Sequence, residues 1–342
     1  MRELLLKLEL RKACSAWVTS LVVSIALASS LVAQEPIPLS DQSVRPASKS
    51  KSSPQAEFLR VTRTEANAPK TLDTSVTTYR SSSASGVTVD LIGAVHIGER
   101  QYYEELNRRF DQYDVLLYEL VAPENTVIPR GGKRESTNPV AMLQDSAKNL
   151  LGLESQLELV DYTKAHFVRA DMTPTQIADK MAERGETAFT VALSTLADVM
   201  RQQNLAAREA AKQPAAEVEE ELGLFDLLGN PLKMKQIMAE QFVKTGSLDE
   251  SLGGSLNQML VIDRNAEALR GLQKQIAAGK KKIGIFYGAA HMPDFEKHLI
   301  ADFGLQKAEQ AWIAAWDLQR GPKNSATEPA SMLLNLLKML DE

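Results

Sequence analysis

Cysteine is nearly absent from this chain. Of 342 residues one is cysteine, Cys14, and it lies among the first 33. After that point the sequence has no disulfide, no thiolate nucleophile and no thiolate metal ligand. Any metal site must be built from histidine and carboxylates. Histidine is scarce too, with four in all. Basic residues are not in surplus: 39 Lys and Arg stand against 44 Asp and Glu, a formal net charge of −5. With no basic stripe interleaved with aromatics, nucleic acid is not an expected partner. What remains is ordinary globular composition, 44% hydrophobic and 24% charged, long enough for one large or two ordinary domains with a substantial core.

The N-terminus has its own pattern. A charged start carrying Lys7, Arg11 and Lys12 precedes a mostly apolar run from Ala13 to Ala33, with small-residue cleavage sites after Ala28 and Ala33. This reads as a secretory signal peptide over residues 1–33. The run is also about as long as an uncleaved anchor requires, which would leave the body associated with a membrane. In either case the body is exported, periplasmic or extracellular. Removing residues 1–33, which carry a net +2, leaves the remainder at −7. Residues 34–57 are rich in Pro, Ser and Lys with little to bury, the composition of a tether.

Beyond the tether, Phe58–Thr64, Ser75–Arg80 and Val87–Val95 have strand character. Glu99–Tyr113 places apolar and aromatic residues at helical spacing, and Asp114–Leu120 (DVLLYEL) is a buried strand. Such a strand–helix–strand unit makes its strands parallel. Pro139 to about Gly279 reads as helical almost throughout. A second unit follows: strand Lys282–Ala290, helix Pro293–Phe303 and strand Ala308–Trp316. The expectation is an α/β domain over residues 58–320, with a central mixed sheet from two related strand–helix–strand units and an inserted helical block at about 139–280. A tail over 321–342 ends in a short amphipathic helix, Ala330–Leu340.

The two units share a frame. VDLIGAVHIGERQYYEEL, from Val89, and IGIFYGAAHMPDFEKHL, from Ile283, align without a gap. Gly93 matches Gly288, Ala94 matches Ala289 and His96 matches His291. A glycine at a strand's end permits a close backbone approach or an unusual turn. The histidine three residues on then projects from the strand's carboxyl edge, where open α/β sheets bind ligands. Glu119 ends a run otherwise too apolar to want a carboxylate. If its strand neighbours Val87–Val95 in parallel, it reaches the same edge as His96. Two imidazoles and one carboxylate form a donor set for a divalent metal with positions left open. The competing readings are plain ones: loop histidines satisfied locally, and a Glu119 that only accepts hydrogen bonds from a helix N-terminus. His166 and His298 have no matching frame. Tyr118 and Tyr287 line a pocket or merely pack. Taken alone, Arg264 and Asn265 suit a helix surface, with Asp263 and Glu267 as ordinary partners for Arg264.

These residues resemble the Tiki/TraB-like superfamily (TraB, PrgY, GumN and Tiki proteins), whose members carry two G-x-x-H motifs, a glutamate after the first, and an Arg-Asn pair on a helix before the second. Here the matching positions are Gly93–His96, Glu119, Arg264-Asn265 and Gly288–His291, spanning roughly Val87 to Trp316. Leu151–Met172 also resembles a stretch found in some members. The resemblance implies a composite fold related by duplication. It also implies a metal-dependent hydrolase, most closely a peptidase acting on a peptide or protein substrate. His96, Glu119 and His291 would hold Mn²⁺, Co²⁺ or Zn²⁺, Arg264 would steady a carboxylate or developing oxyanion, and Asn265 would orient substrate or a ligand. The alternatives are a non-catalytic binding protein for a peptide, metal or haem-like ligand, and a metal-free esterase using His and Glu as acid and base.

Overall fold

The computed structural model describes residues 57–81, 86–131, 148–187, 190, 230–244 and 257–322. The leader, most of the tether, the amphipathic stretch beyond residue 190 and the C-terminal helix lie outside the described residues. Nine strands are described: β1 (Leu59–Arg63), β2 (Pro69–Ser81), β3 (Thr88–Ala94), β4 (Ile97–Gly98), β5 (Val115–Tyr118), β6 (Glu154–Ser155), β7 (Phe167–Arg169), β8 (Lys282–Gly288) and β9 (Leu305–Asp317). The α-helices among these residues are α1 (Arg100–Phe110), α2 (Gln156–Leu159), α3 (Pro174–Glu183), α4 (Pro231–Lys244), α5 (Asp263–Ala277) and α6 (Met292–Ala301).

Seven strands form one mixed sheet. β3, β8, β5 and β7 run parallel in that order, while β2 runs antiparallel to β1, β3 and β9. The α/β class with a central mixed sheet is therefore the fold of this chain. Two features depart from the sequence expectation. β8 lies between β3 and β5, so the strands of the first unit are not neighbours. Periodicity reports which residues alternate along a strand and carries nothing about a strand that enters from far along the chain. Likewise, the segment expected to be helical from Pro139 contributes β6 and β7, the latter closing the parallel side of the sheet. Phe167-Val168-Arg169 has strand composition but is too short to display a period of two.

Alternate side chains on these strands feed two cores. On one face Ile92, Ala94, Leu116, Tyr118 and Phe286 pack with α1 through Tyr103, Leu106 and Phe110, and with α4 through Met234 and Met238. On the other face Val89, Leu91, Val115, Leu117, Ile283 and Ile285 pack with α5 through Ala268 and Leu272, and with α6 through Met292, Phe295 and Leu299. The result is three layers, helices on a sheet on helices. Among the described residues no helix is long and apolar enough to cross a membrane.

The connections decide where a ligand can sit. From the carboxyl end of β3 the chain turns to α1 on the first face; from the carboxyl end of β8, the next strand, it turns to α6 on the second. Adjacent strands whose exits diverge leave a crevice between them, the switch point at which open α/β sheets bind ligands. Both glycine–histidine motifs lie at that point.

Candidate functional site

The two motifs share letters but not conformation. In the sheet, Gly93 pairs with Tyr287 and Ala94 with Gly288, so the parallel register is offset by one from the sequence alignment. After β3 the chain bends at His96 and returns to strand in β4 before α1 begins, whereas Ala289–His291 make a single 3₁₀ turn and His291 caps α6. Neither Gly93 nor Gly288 is among the glycines with positive φ, so close approach, not an unusual turn, is what they provide. A Cβ on Gly288 would stand 3.3 Å from Glu119 Oε2, 3.7 Å from His291 Cδ2 and 4.0 Å from His96 Nε2. The missing side chain leaves a cradle that all three candidate ligands border.

Glu119 follows β5 and is buried. Its Oε2 accepts the Gly288 N–H at 2.7 Å, and its Oε1 accepts from Arg264 Nη2 at 2.6 Å. Burial works against its charge, but Arg264, with His291 and His96, outweighs that and holds the carboxyl well below the usual carboxylate range.

Arg264 and Asn265 are successive helical residues, yet both are buried, at 2% and 0% exposure. A π-helical turn, Gln258–Ile262, runs directly into α5, and the Asp263 N–H reaches back five residues to Gln258 O. Such a turn disturbs the ordinary ladder and is often found at functional sites. Here Arg264 Nη1 donates to Leu260 O at 3.2 Å. The rest of the guanidinium clasps Asp171 in two-point fashion, Nε to Oδ1 at 2.9 Å and Nη2 to Oδ2 at 2.7 Å. Burial disfavours this cation, and Asp171 and Glu119 together hold it protonated beyond its ordinary value. Arg264 thus steadies a carboxylate, Glu119, and its three nitrogens are engaged within the protein. The sequence reading did not single out Asp171, which lies two residues beyond β7, inside the Leu151–Met172 stretch but with no motif of its own.

Asn265 settles the tautomer of His291. Its Nδ2 donates to His291 backbone O (3.1 Å) and to Asp294 Oδ2 (2.9 Å), two groups that can only accept. Its Oδ1 therefore faces His291 Nδ1 at 2.7 Å, and the ring must carry its hydrogen on Nδ1. The other ring nitrogen, Nε2, stands 3.6 Å from Glu119 Oε1. Asn265 orients a candidate ligand.

His96 is partly buried. Burial, outweighing the attraction of Glu119, lowers its pKa, so the ring is neutral at neutral pH. The turn that carries it is pinned from β9: Trp316 Nε1 donates to Ile97 O at 2.7 Å and the Glu99 N–H to Ala315 O at 2.9 Å. Lys235 of α4, itself buried, reaches Glu99 Oε1 at 2.6 Å.

The remaining residues singled out in the sequence lie elsewhere. His166 contacts Phe110 O at 3.0 Å, and His298 sits beside Asp294 and Asp302 along α6. Tyr118 packs on Tyr162, with ring centres 5.0 Å apart, and Tyr287 packs edge-on against His291 at 5.2 Å.

The chemistry of these donors decides whether they suit a divalent ion. Two ligands held at ordinary Zn–N and Zn–O lengths on a tetrahedral ion stand roughly 3.4 Å apart, close to the 3.6 Å between His291 Nε2 and Glu119 Oε1. Asn265 holds His291 through its far nitrogen, the arrangement expected behind a metal-ligating histidine. His96 stands farther out: among the described residues no three His, Cys, Asp or Glu side chains are already gathered at metal-holding distances. His291 Nε2 and Glu119 Oε1 form a closely spaced pair, and His96 borders the same cradle. No family model, curated protein or solved structure matches this chain.

Proposed function

We propose that this chain is an exported, metal-dependent hydrolase of the Tiki/TraB-like kind, most closely a peptidase. The observation that carries the reading is the convergence of Glu119, His291 and His96 on the Gly288 cradle, at the switch point of the sheet. Glu119, His291 and His96 would hold the ion, Mn²⁺, Co²⁺ or Zn²⁺. The chemistry such an ion supplies is Lewis acidity, which activates water and polarises a carbonyl near neutral pH.

The protein's own residues supply the rest. Arg264 keeps Glu119 ionised and aimed at the cradle. Asp171 fixes the guanidinium from behind. Asn265, itself anchored on Asp294, holds the His291 ring so that Nε2 faces inward. Because Arg264 is buried and spoken for, its part is to position Glu119, and it does not touch substrate. Oxyanion stabilisation is chemistry that a bound ion would supply.

The test is a mixed peptide library incubated with purified full-length protein. Cleavage should appear, stop with a chelator, and return with Mn²⁺, Co²⁺ or Zn²⁺. Ligand retained without fragments would favour the binding-protein reading instead. Cleavage indifferent to the chelator would overturn the metal-dependent mechanism.

A further inference from the structure

We infer that Arg169 is a carboxylate-binding residue at the lip of the crevice, suited to the terminal or side-chain carboxylate of a peptide. The inference rests on the reading of the crevice as a peptide site, catalytic or not, and names the part of the peptide that the site would grip.

Arg169 ends β7, in register with Tyr118 of β5, the residue directly before Glu119. The parallel sheet thus brings it to the carboxyl edge that carries the site, on the strand next to the one that Glu119 follows. Phe167, two residues earlier, packs on the core that contains Tyr118. Strand alternation sends the Arg169 side chain to that same face. It is half-buried, and its Nη1 donates to Ala122 O, in the segment that leaves the sheet after Glu119. The guanidinium is therefore anchored beside the chain that carries a candidate ligand.

The rest of the guanidinium is unused. Nε and Nη2 make no hydrogen bond with any described residue, and neither is sealed from solvent. Their N–H groups lie along one edge of the planar group and match the two oxygens of a carboxylate. Arg264 shows the same grip within this protein, its Nε and Nη2 holding Asp171 at 2.9 and 2.7 Å. The nearby acids are not available to Arg169. Arg264 occupies both oxygens of Asp171, while those of Glu119 accept from Arg264 and the Gly288 N–H. Among the described residues no carboxylate stands within ion-pair distance of Arg169. An anchored cation with an open fork, at the edge where open α/β sheets bind ligands, is built to receive an anion.

Calorimetric titration of full-length, chelator-stripped protein tests this, because no ion then competes for the carboxylate. The probes are N-acetyl-trialanine as free acid and as amide, and N-acetyl-Ala-Glu-Ala amide beside its Gln counterpart. At least one charged peptide should bind roughly tenfold tighter than its neutral counterpart, the effect of a charge-assisted hydrogen bond. The pair that shows the difference tells whether a terminal or a side-chain carboxylate is taken. Arg169→Met should erase the difference while the neutral peptides bind as before. Arg169→Lys keeps the charge without the fork and should retain only part of it. Equal binding of charged and neutral peptides, binding of none, or a preference that survives in Arg169→Met would overturn the proposal. If Arg169→Met shows no cooperative urea transition, the unsubstituted protein and Arg169→Lys still decide. A carboxylate preference without any cleavage when metal is restored would overturn the hydrolase reading and leave this one intact. Metal-dependent cleavage indifferent to the carboxylate would do the reverse.

Discussion

Arg264→Met is expected to destabilise the protein by about 3–5 kcal/mol at neutral pH, the usual consequence of leaving buried carboxylates without their cation. Two carboxylates depend on this guanidinium, Glu119 through one bond and Asp171 through two. The pH dependence identifies the cause. In the unsubstituted protein the folded-state pKa of Glu119 is depressed, so it contributes stability above its unfolded value, and that contribution is lost as pH falls through the folded value. Without Arg264, burial becomes the larger influence and the sign reverses. A carboxyl raised above its unfolded value favours folding only while protonated, so its contribution disappears as pH rises through the raised value. The deficit of Arg264→Met should therefore be largest at neutral pH and shrink on acidification toward the ordinary carboxylate range. Urea midpoints measured across pH check this. A deficit that is small, or equal at every pH, would mean that the cluster is not charged as described.

The second large effect falls on activity. Glu119→Gln should reduce turnover of any peptide the protein cleaves by at least about 10²-fold, since losing a ligand should cost no less than losing one of its outer-shell partners. Gln keeps the shape of the side chain, and Arg264 keeps its two-point bond to Asp171. The stability loss should then be confined to about 1–3 kcal/mol, that of one charge-assisted hydrogen bond. His291→Ala should lose as much activity, because the ring is the group that Asn265 and Asp294 are arranged to hold. Steady-state rates beside unfolding curves separate the two effects. Activity that falls only in proportion to the folded fraction would remove both residues from the chemistry.

Much of this site could be read from the chain, for a definite reason. Sheet-forming runs ending in glycine, with a histidine at fixed distance, announce both the strands and the edge they end on. DVLLYEL marks Glu119 because a carboxylate is out of place in that run. The partners of these residues left no such trace. Asp171 stands in a short segment without periodicity, inside a stretch whose resemblance pointed to no one residue, and its importance comes from Arg264, far away along the chain. The order β3-β8-β5 was hidden for the same reason. A strand that starts at Lys282 gives no local sign that it will insert between two strands that start at Thr88 and Val115. Arg264 looked like a surface residue because Asp263 and Glu267 offered it ordinary partners. The π-helical turn before it, which accompanies its inward placement, is not visible in composition.

The most direct measurement is the binding of Mn²⁺, Co²⁺ and Zn²⁺ to chelator-stripped protein, by calorimetric titration, in the unsubstituted chain and in His96→Ala, His291→Ala and Glu119→Gln. One ion per chain is expected, with the affinity lost in each of the three variants while His166→Ala binds normally. Binding that is equal in all of these proteins, or absent from every one, would contradict a cation centre at the mouth between β3 and β8.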